Sequence, residues 1–159
     1  MGKARVRWIG AVALWAAMAG AALGVARSQE PSDRQTVLGP GLYIFQTRTR
    51  DASCKDSEQD GYVLSYFAAI HGVPHAASMG MELTNTPHFK TWTLKVVGNN
   101  GVVGDSRIGT AADAPDSHFE VKLEKDRFRG TGYRTYNGTF EGKKVRCRVN
   151  YDALLRRLD

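Results

Sequence analysis

An all-β domain, either a small antiparallel barrel or a two-sheet sandwich, is the fold the sequence predicts. Three features point to it. Apolar and polar residues alternate along short segments, turn-forming residues separate those segments at close intervals, and no long stretch carries the apolar spacing of an amphipathic helix. With 159 residues, 42% hydrophobic, 24% charged and 9% aromatic, the chain suits one ordinary globular domain and excludes collagen, low-complexity disorder and a polytopic membrane protein.

The first element is a leader. Lys3, Arg5 and Arg7 make a positive start, and the stretch from Trp8 to Ala26 carries no charge. Followed by small residues at Gly24, Ala26 and Ser28, this pattern reads as a signal helix over residues 1–28, cleaved after Ala26 or Ser28. An uncleaved anchor is the alternative, because the run is long enough to cross a bilayer; Gly and Ala, however, outnumber the strongly inserting Leu and Phe. The alanine- and arginine-rich leader points to a bacterial product that is periplasmic or secreted, touching a membrane only through an uncleaved leader. Residues 29–40 then form a polar lead-in, and residues 41–159 the barrel or sandwich domain.

The formal charge of +6 resides mostly in that leader. Lys3, Arg5, Arg7 and Arg27 face no acid, so the remainder holds 22 − 4 = 18 basic against 16 acidic residues, or +2. A nearly neutral domain lacks the basic footprint of phosphate-backbone binding, and no nucleic-acid partner is expected.

Candidate strands follow in order: Leu42–Thr49, Gly61–Ala68, Ser78–Leu83, Lys90–Gly98, Val102–Ile108, Ser117–Glu124, Arg127–Tyr136 and Thr139–Tyr151. Asp152 to Asp159 is expected to add a helical turn or two, capped by Asp152 and covering Leu154, Leu155 and Leu158. Eight strands in 159 − 28 = 131 residues suit a calycin-like, up-and-down barrel or a sandwich.

Two hairpins carry a register. If Lys125-Asp126 is a two-residue turn, Glu124 opposes Arg127, Leu123 opposes Phe128, Val121 opposes Gly130 and Phe119 opposes Gly132, so every inward position meets an apolar residue or glycine. Asn137-Gly138 is the strongest turn signal, since a type I′ turn needs two positive φ angles; it would pair Phe128 with Cys147 and Arg127 with Arg148. Val145, Cys147, Val149 and Tyr151 then share the inner face, and an irregularity is expected near Glu141-Gly142, where Phe140 breaks the phase. A third hairpin at Asn99-Asn100-Gly101 leaves its register open. Export into an oxidising compartment predicts a Cys54–Cys147 disulfide, which ties the segment after the first strand to the last strand and favours a sheet closed on itself.

No catalytic constellation emerges: there is no Gly-x-Ser-x-Gly elbow, no His-Glu-x-x-His and no phosphate-binding glycine loop. The expectation is therefore a non-enzymatic domain, with no cofactor, that binds a small apolar or amphipathic ligand or an envelope component. Gly130 and Gly132 would leave interior room, lined by Tyr62, Tyr66, Trp92, Phe119 and Phe128. Arg127, Arg129, Arg146 and Arg148 would form an outward basic ladder suited to an anionic, lipid-like partner. One alternative is a periplasmic copper carrier using His71, His75, Met79 and Met81, because thioethers favour Cu(I); the period-two spacing of Met79, Met81 and Leu83 instead suits core sulfurs. Another is an interaction or inhibitor module working through the loops around 51–60 and 109–117. The acidic run Asp51 to Asp60 does not match a calcium loop.

Overall fold

The computed structural model describes residues 38–54, 59–74, 76–108 and 116–158. The expected signal helix over residues 1–28 and most of the expected polar lead-in lie outside the described residues. Eight strands run in chain order: β1 (Gly41–Ala52), β2 (Val63–His71), β3 (Ser78–Leu83), β4 (Thr91–Val97), β5 (Gly101–Ser106), β6 (Ser117–Glu124), β7 (Arg127–Phe140) and β8 (Lys143–Arg157). Each pairs antiparallel with the next and β8 returns to β1, so the sheet closes into a barrel and leaves no open edge. Closure decides between the two predicted architectures. No helix occurs among the described residues.

Period-two alternation turns one face of every strand into the lumen. Tyr43, Phe45, Thr47 and Thr49 are the inward set of β1, and Val149, Tyr151, Ala153 and Leu155 that of β8. At the end where β1 begins, Tyr43, Ile70, Met79, Leu94, Val102, Val121, Phe128 and Leu155 are buried together, with Leu38 wholly buried among them. Each such side chain contributes roughly 1.5–3 kcal/mol of transfer free energy. The Tyr43 hydroxyl donates to the Gly39 carbonyl at 2.9 Å, tying the entering chain to this end.

Midway along the axis Phe45, Trp92 and Phe119 meet with ring centroids 5.0–5.7 Å apart. Such spacing suits offset and edge-to-face aromatic contact. Gly104 admits this layer, since a Cβ there would collide with the Phe119 ring.

The β6–β7 hairpin has the expected register throughout, from Glu124 opposite Arg127 to Phe119 opposite Gly132. The open register between β4 and β5 resolves as Val96 opposite Val102 and Val97 opposite Gly101, around residues 98–100. The last hairpin differs from expectation. β7 runs straight through Asn137-Gly138, and the chain reverses at Glu141-Gly142, where φ is 49° and 74°.

Phe128 consequently faces Leu155 instead of Cys147, a slip of 155 − 147 = 8 residues. Because that number is even, Cys147, Val149 and Tyr151 still point inward. The longer ladder also absorbs the predicted terminal helix. β8 continues to Arg157, placing Ala153 opposite Gly130 and burying Leu155 completely, whereas a helix from Asp152 would leave β7 without that partner. Gly138 has its own reason to be glycine, because a Cβ would lie 2.9 Å from the Cys147 sulfur. Cys54, two residues past the end of β1, and Cys147 of β8 form the disulfide across 93 residues, beside the β1–β8 pairing that closes the barrel. A disulfide is consistent with an oxidising compartment.

Candidate functional site

The opposite end of the barrel is hollow. Where β1 and β3 end and β4, β6 and β8 bring their inward side chains together, a cavity of about 420 Å³ opens to solvent. That volume lies within the roughly 300–1,000 Å³ of small-molecule sites.

Its walls are segregated by strand. Leu64 and Tyr66 from β2, Leu83 from β3, Phe89 from the connection after it, Trp92 from β4 and Ile108 beyond β5 form an apolar side. Across the lumen stand Thr47 of β1, Ser117 of β6, Arg134 and Tyr136 of β7 and Tyr151 of β8. Phe45 lies between them at the floor, while Thr86, His88 and Asn137 complete the rim. Among the described lining residues there is no Asp or Glu, and Arg134 carries the one fixed charge.

Strand phase explains how a cation comes to sit there. Phe128, Gly130, Gly132, Arg134 and Tyr136 are alternate residues of β7, so Arg134 points into the lumen and is 7% exposed. Its Nη1 donates to Thr47 Oγ1 at 3.4 Å, and its guanidinium carbon lies 5.3 Å from the Tyr151 ring centre, a cation–π distance.

The neighbouring hydroxyls have their protons engaged elsewhere. Tyr151 donates to the His118 carbonyl at 3.2 Å, and Ser117 to the Tyr133 carbonyl at 3.0 Å, leaving the two hydroxyl oxygens 3.4 Å apart. Burial pushes the Tyr151 phenol well above its ordinary value, with Ser117 and Arg134 opposing the rise, so it stays neutral. Trp92 donates its indole N–H to the Phe89 carbonyl at 2.7 Å and shows the cavity only its ring.

Of the residues expected to line a ligand space, Tyr66 and Trp92 do so, and Phe119 lies in the aromatic layer beneath. Tyr62 is exposed on the outside, at 52% of its surface. Phe128 fills the closed end. Gly130 and Gly132 do not hollow the lumen: a Cβ on Gly130 would strike the Glu120 carbonyl, and one on Gly132 the His118 carbonyl and the Tyr151 ring. These glycines allow close strand approach, and Tyr151 takes the volume that Gly132 leaves.

The basic ladder depended on the unformed Asn137-Gly138 turn, and its four members are dispersed. Arg146 opposes Asn137 and donates to Asp116 Oδ1 at 2.7 Å and Thr135 Oγ1 at 2.9 Å. Arg148 opposes Thr135, lies 3.8 Å over the Tyr133 ring and donates to Asn150 Oδ1 at 3.1 Å. Arg127 donates to both carboxylate oxygens of Asp126, a bond that holds that carboxyl below its usual range. Arg129 faces Lys122 and Leu154 on the outer surface.

The copper set is not brought together either. Met79 and Met81 are core residues, whereas His71 is exposed on the opposite face of the sheet with its ring over Gly80; His75 lies outside the described residues. Among the described residues no group of three or more His, Cys, Asp or Glu side chains is arranged to hold a metal ion. The loops that would serve an interaction module include residues 55–58 and 109–115, also outside the described residues.

Thr47, Ser117, Arg134, Tyr136 and Tyr151 were not anticipated as lining. One signal for them existed: continuing the inward phase of Phe128, Gly130 and Gly132 by two residues lands on arginine, a charge in a lumen position. No protein-family model, curated protein or solved structure matches the chain.

Proposed function

We propose that this is an exported, non-enzymatic β-barrel that binds a small amphipathic ligand in the cavity at its open end. The carrying observation is the division of that cavity into an apolar wall of Leu64, Leu83, Phe89 and Trp92 and a polar wall of Thr47, Ser117, Arg134 and Tyr151. A ligand with one greasy and one polar face satisfies both sides at once, whereas water would leave the apolar wall poorly solvated. Export is supported by the charged and then apolar leader, and by a disulfide that suits an oxidising compartment.

The test is native mass spectrometry of the full chain after exposure to a total lipid extract, run beside a Leu64→Trp variant whose larger ring occupies the cavity. A retained mass of a few hundred daltons on the wild type, absent from the variant, is expected. A clean unliganded mass for both proteins would overturn the reading.

A further inference from the structure

We infer that the apolar body of the ligand is a flat aromatic ring system, seated against Tyr66, Phe89 and Trp92, and not a flexible acyl chain. This rests on the reading of the cavity as a ligand site and names the ligand class that its walls select. Six of the fifteen described lining residues are Phe, Tyr or Trp, against 9% of the chain. Three of them already meet by ring contact: Phe45 at the floor stacks on Tyr66 with centroids 6.3 Å apart and meets Trp92 edge-on at 5.7 Å. A further flat ring among them gains the offset and edge-to-face contacts that aromatic pairs add beyond buried area. It also gives up less conformational freedom on binding than a chain with many rotatable bonds.

A costly backbone geometry at the cavity's edge points to the same ring surface. Phe89 has a φ of 48°, in the left-handed region that bulky residues avoid. Its carbonyl accepts the Trp92 indole N–H at 2.7 Å while its own side chain packs against the core cluster, so one strained residue sets two of the rings. The connection around it is tied down: the Leu83 N–H donates to the Lys90 carbonyl at 2.7 Å, and the His88 N–H to Thr86 Oγ1 at 3.1 Å. Strain of this kind persists where the surrounding structure enforces it, and it gathers at ligand-binding sites.

Isothermal titration of the full chain with three neutral primary alcohols of equal carbon count (naphthylmethanol, its fully saturated decalin counterpart and undecanol) tests this directly. Naphthylmethanol should bind at least about threefold tighter than the decalin alcohol, the worth of one aromatic contact, and tighter than undecanol. Phe89→Leu keeps an apolar side chain at the cavity's edge; it should shrink that ratio toward one and leave the decalin alcohol's affinity unchanged. Should that variant fail to fold, the wild-type ratio still decides. Equal binding of the two ring alcohols, or tightest binding of undecanol, would overturn the aromatic body while leaving the cavity reading intact. An unchanged ratio in a folded Phe89→Leu would overturn the placement of the ring against Phe89. No binding of any probe would overturn the cavity reading itself.

Discussion

At the end of the barrel where β1 begins, the inward positions are Tyr43, Ile70, Met79, Leu94, Phe128 and Leu155, the connections are short and Leu38 closes the lumen. At the other end the same strands turn Thr47, Thr49, Ser106, Ser117 and Arg134 inward, all buried. Among the described residues no buried side-chain polar atom lacks a hydrogen-bond partner, so the polar end is satisfied as well as lined. Alternation decides which residues face inward, but the chemical kind of residue in each layer decides whether the interior is packed shut or left open. The closed end is packed shut, and the open end holds the cavity in which we propose that a ligand binds.

The largest effect separating the two ends should come from the closed one. Phe128→Ala removes a buried ring opposite Leu155 and should lower unfolding free energy by about 3–5 kcal/mol in chemical denaturation, with ligand affinity unchanged in the folded fraction. A loss below about 1 kcal/mol would mean that this end is not tightly packed.

The disulfide sharpens the contrast from the other side. Replacing Cys54 and Cys147 together by serine should cost about 2–4 kcal/mol, because the bond closes a 93-residue separation. Amide hydrogen exchange should then rise most around Thr49, Tyr136 and Cys147, and least at Leu94 and Leu155. Uniform acceleration would show that the two ends do not open separately.

Tyr151 gives the polar wall a pH signature. Its folded pKa is raised above the unfolded value of 10.0, chiefly by burial, so the folded state holds the proton more tightly. The associated stability is fully present below pH 10 and falls as pH rises above it, by at most about 1.4 kcal/mol per pH unit for one proton. Denaturation from pH 8 to 11 should show this decline in the wild type and a shallower one in Tyr151→Phe. Parallel curves would remove Tyr151 from the buried wall.

The smallest stability effect belongs to the rim. Leu64→Ala should cost about 1 kcal/mol or less, since Leu64 is only partly buried, yet weaken binding of an apolar probe in a dye-displacement assay. The opposite pattern, a large stability loss with unchanged binding, would exchange the roles of the two ends.

Much of the closed end was legible in the sequence, because it depends on period-two alternation over Phe119, Val121 and Leu123 and on a short turn at Lys125-Asp126. The disulfide was expected from reading residues 1–28 as an export leader, and Cys54 and Cys147 are joined. The last hairpin was not, since Asn137-Gly138 is a strong local turn signal that tertiary context overrides: Gly138 serves the close approach of Cys147, and the longer ladder buries Ala153 and Leu155. The predicted terminal helix failed for the same reason, as Leu154 and Leu155 read equally well as alternate strand positions. The cavity was hidden because hollowness depends on which side chain fills which gap. Glycine in a lumen position looks like space, yet Gly132 is filled by Tyr151 from the neighbouring strand. The arginine ladder was an artefact of the same misplaced turn.

The claim that one end is packed and the other receives a ligand is tested most directly by following backbone and Trp92 indole N–H signals by NMR while naphthylmethanol is titrated into the full chain. Shifts should gather at Thr47, Leu64, Tyr66, Trp92, Ser117, Arg134 and Tyr151, and leave Ile70, Val102 and Leu155 still. Shifts centred on Ile70, Val102 and Leu155, or scattered over the outer faces of the strands, would contradict it.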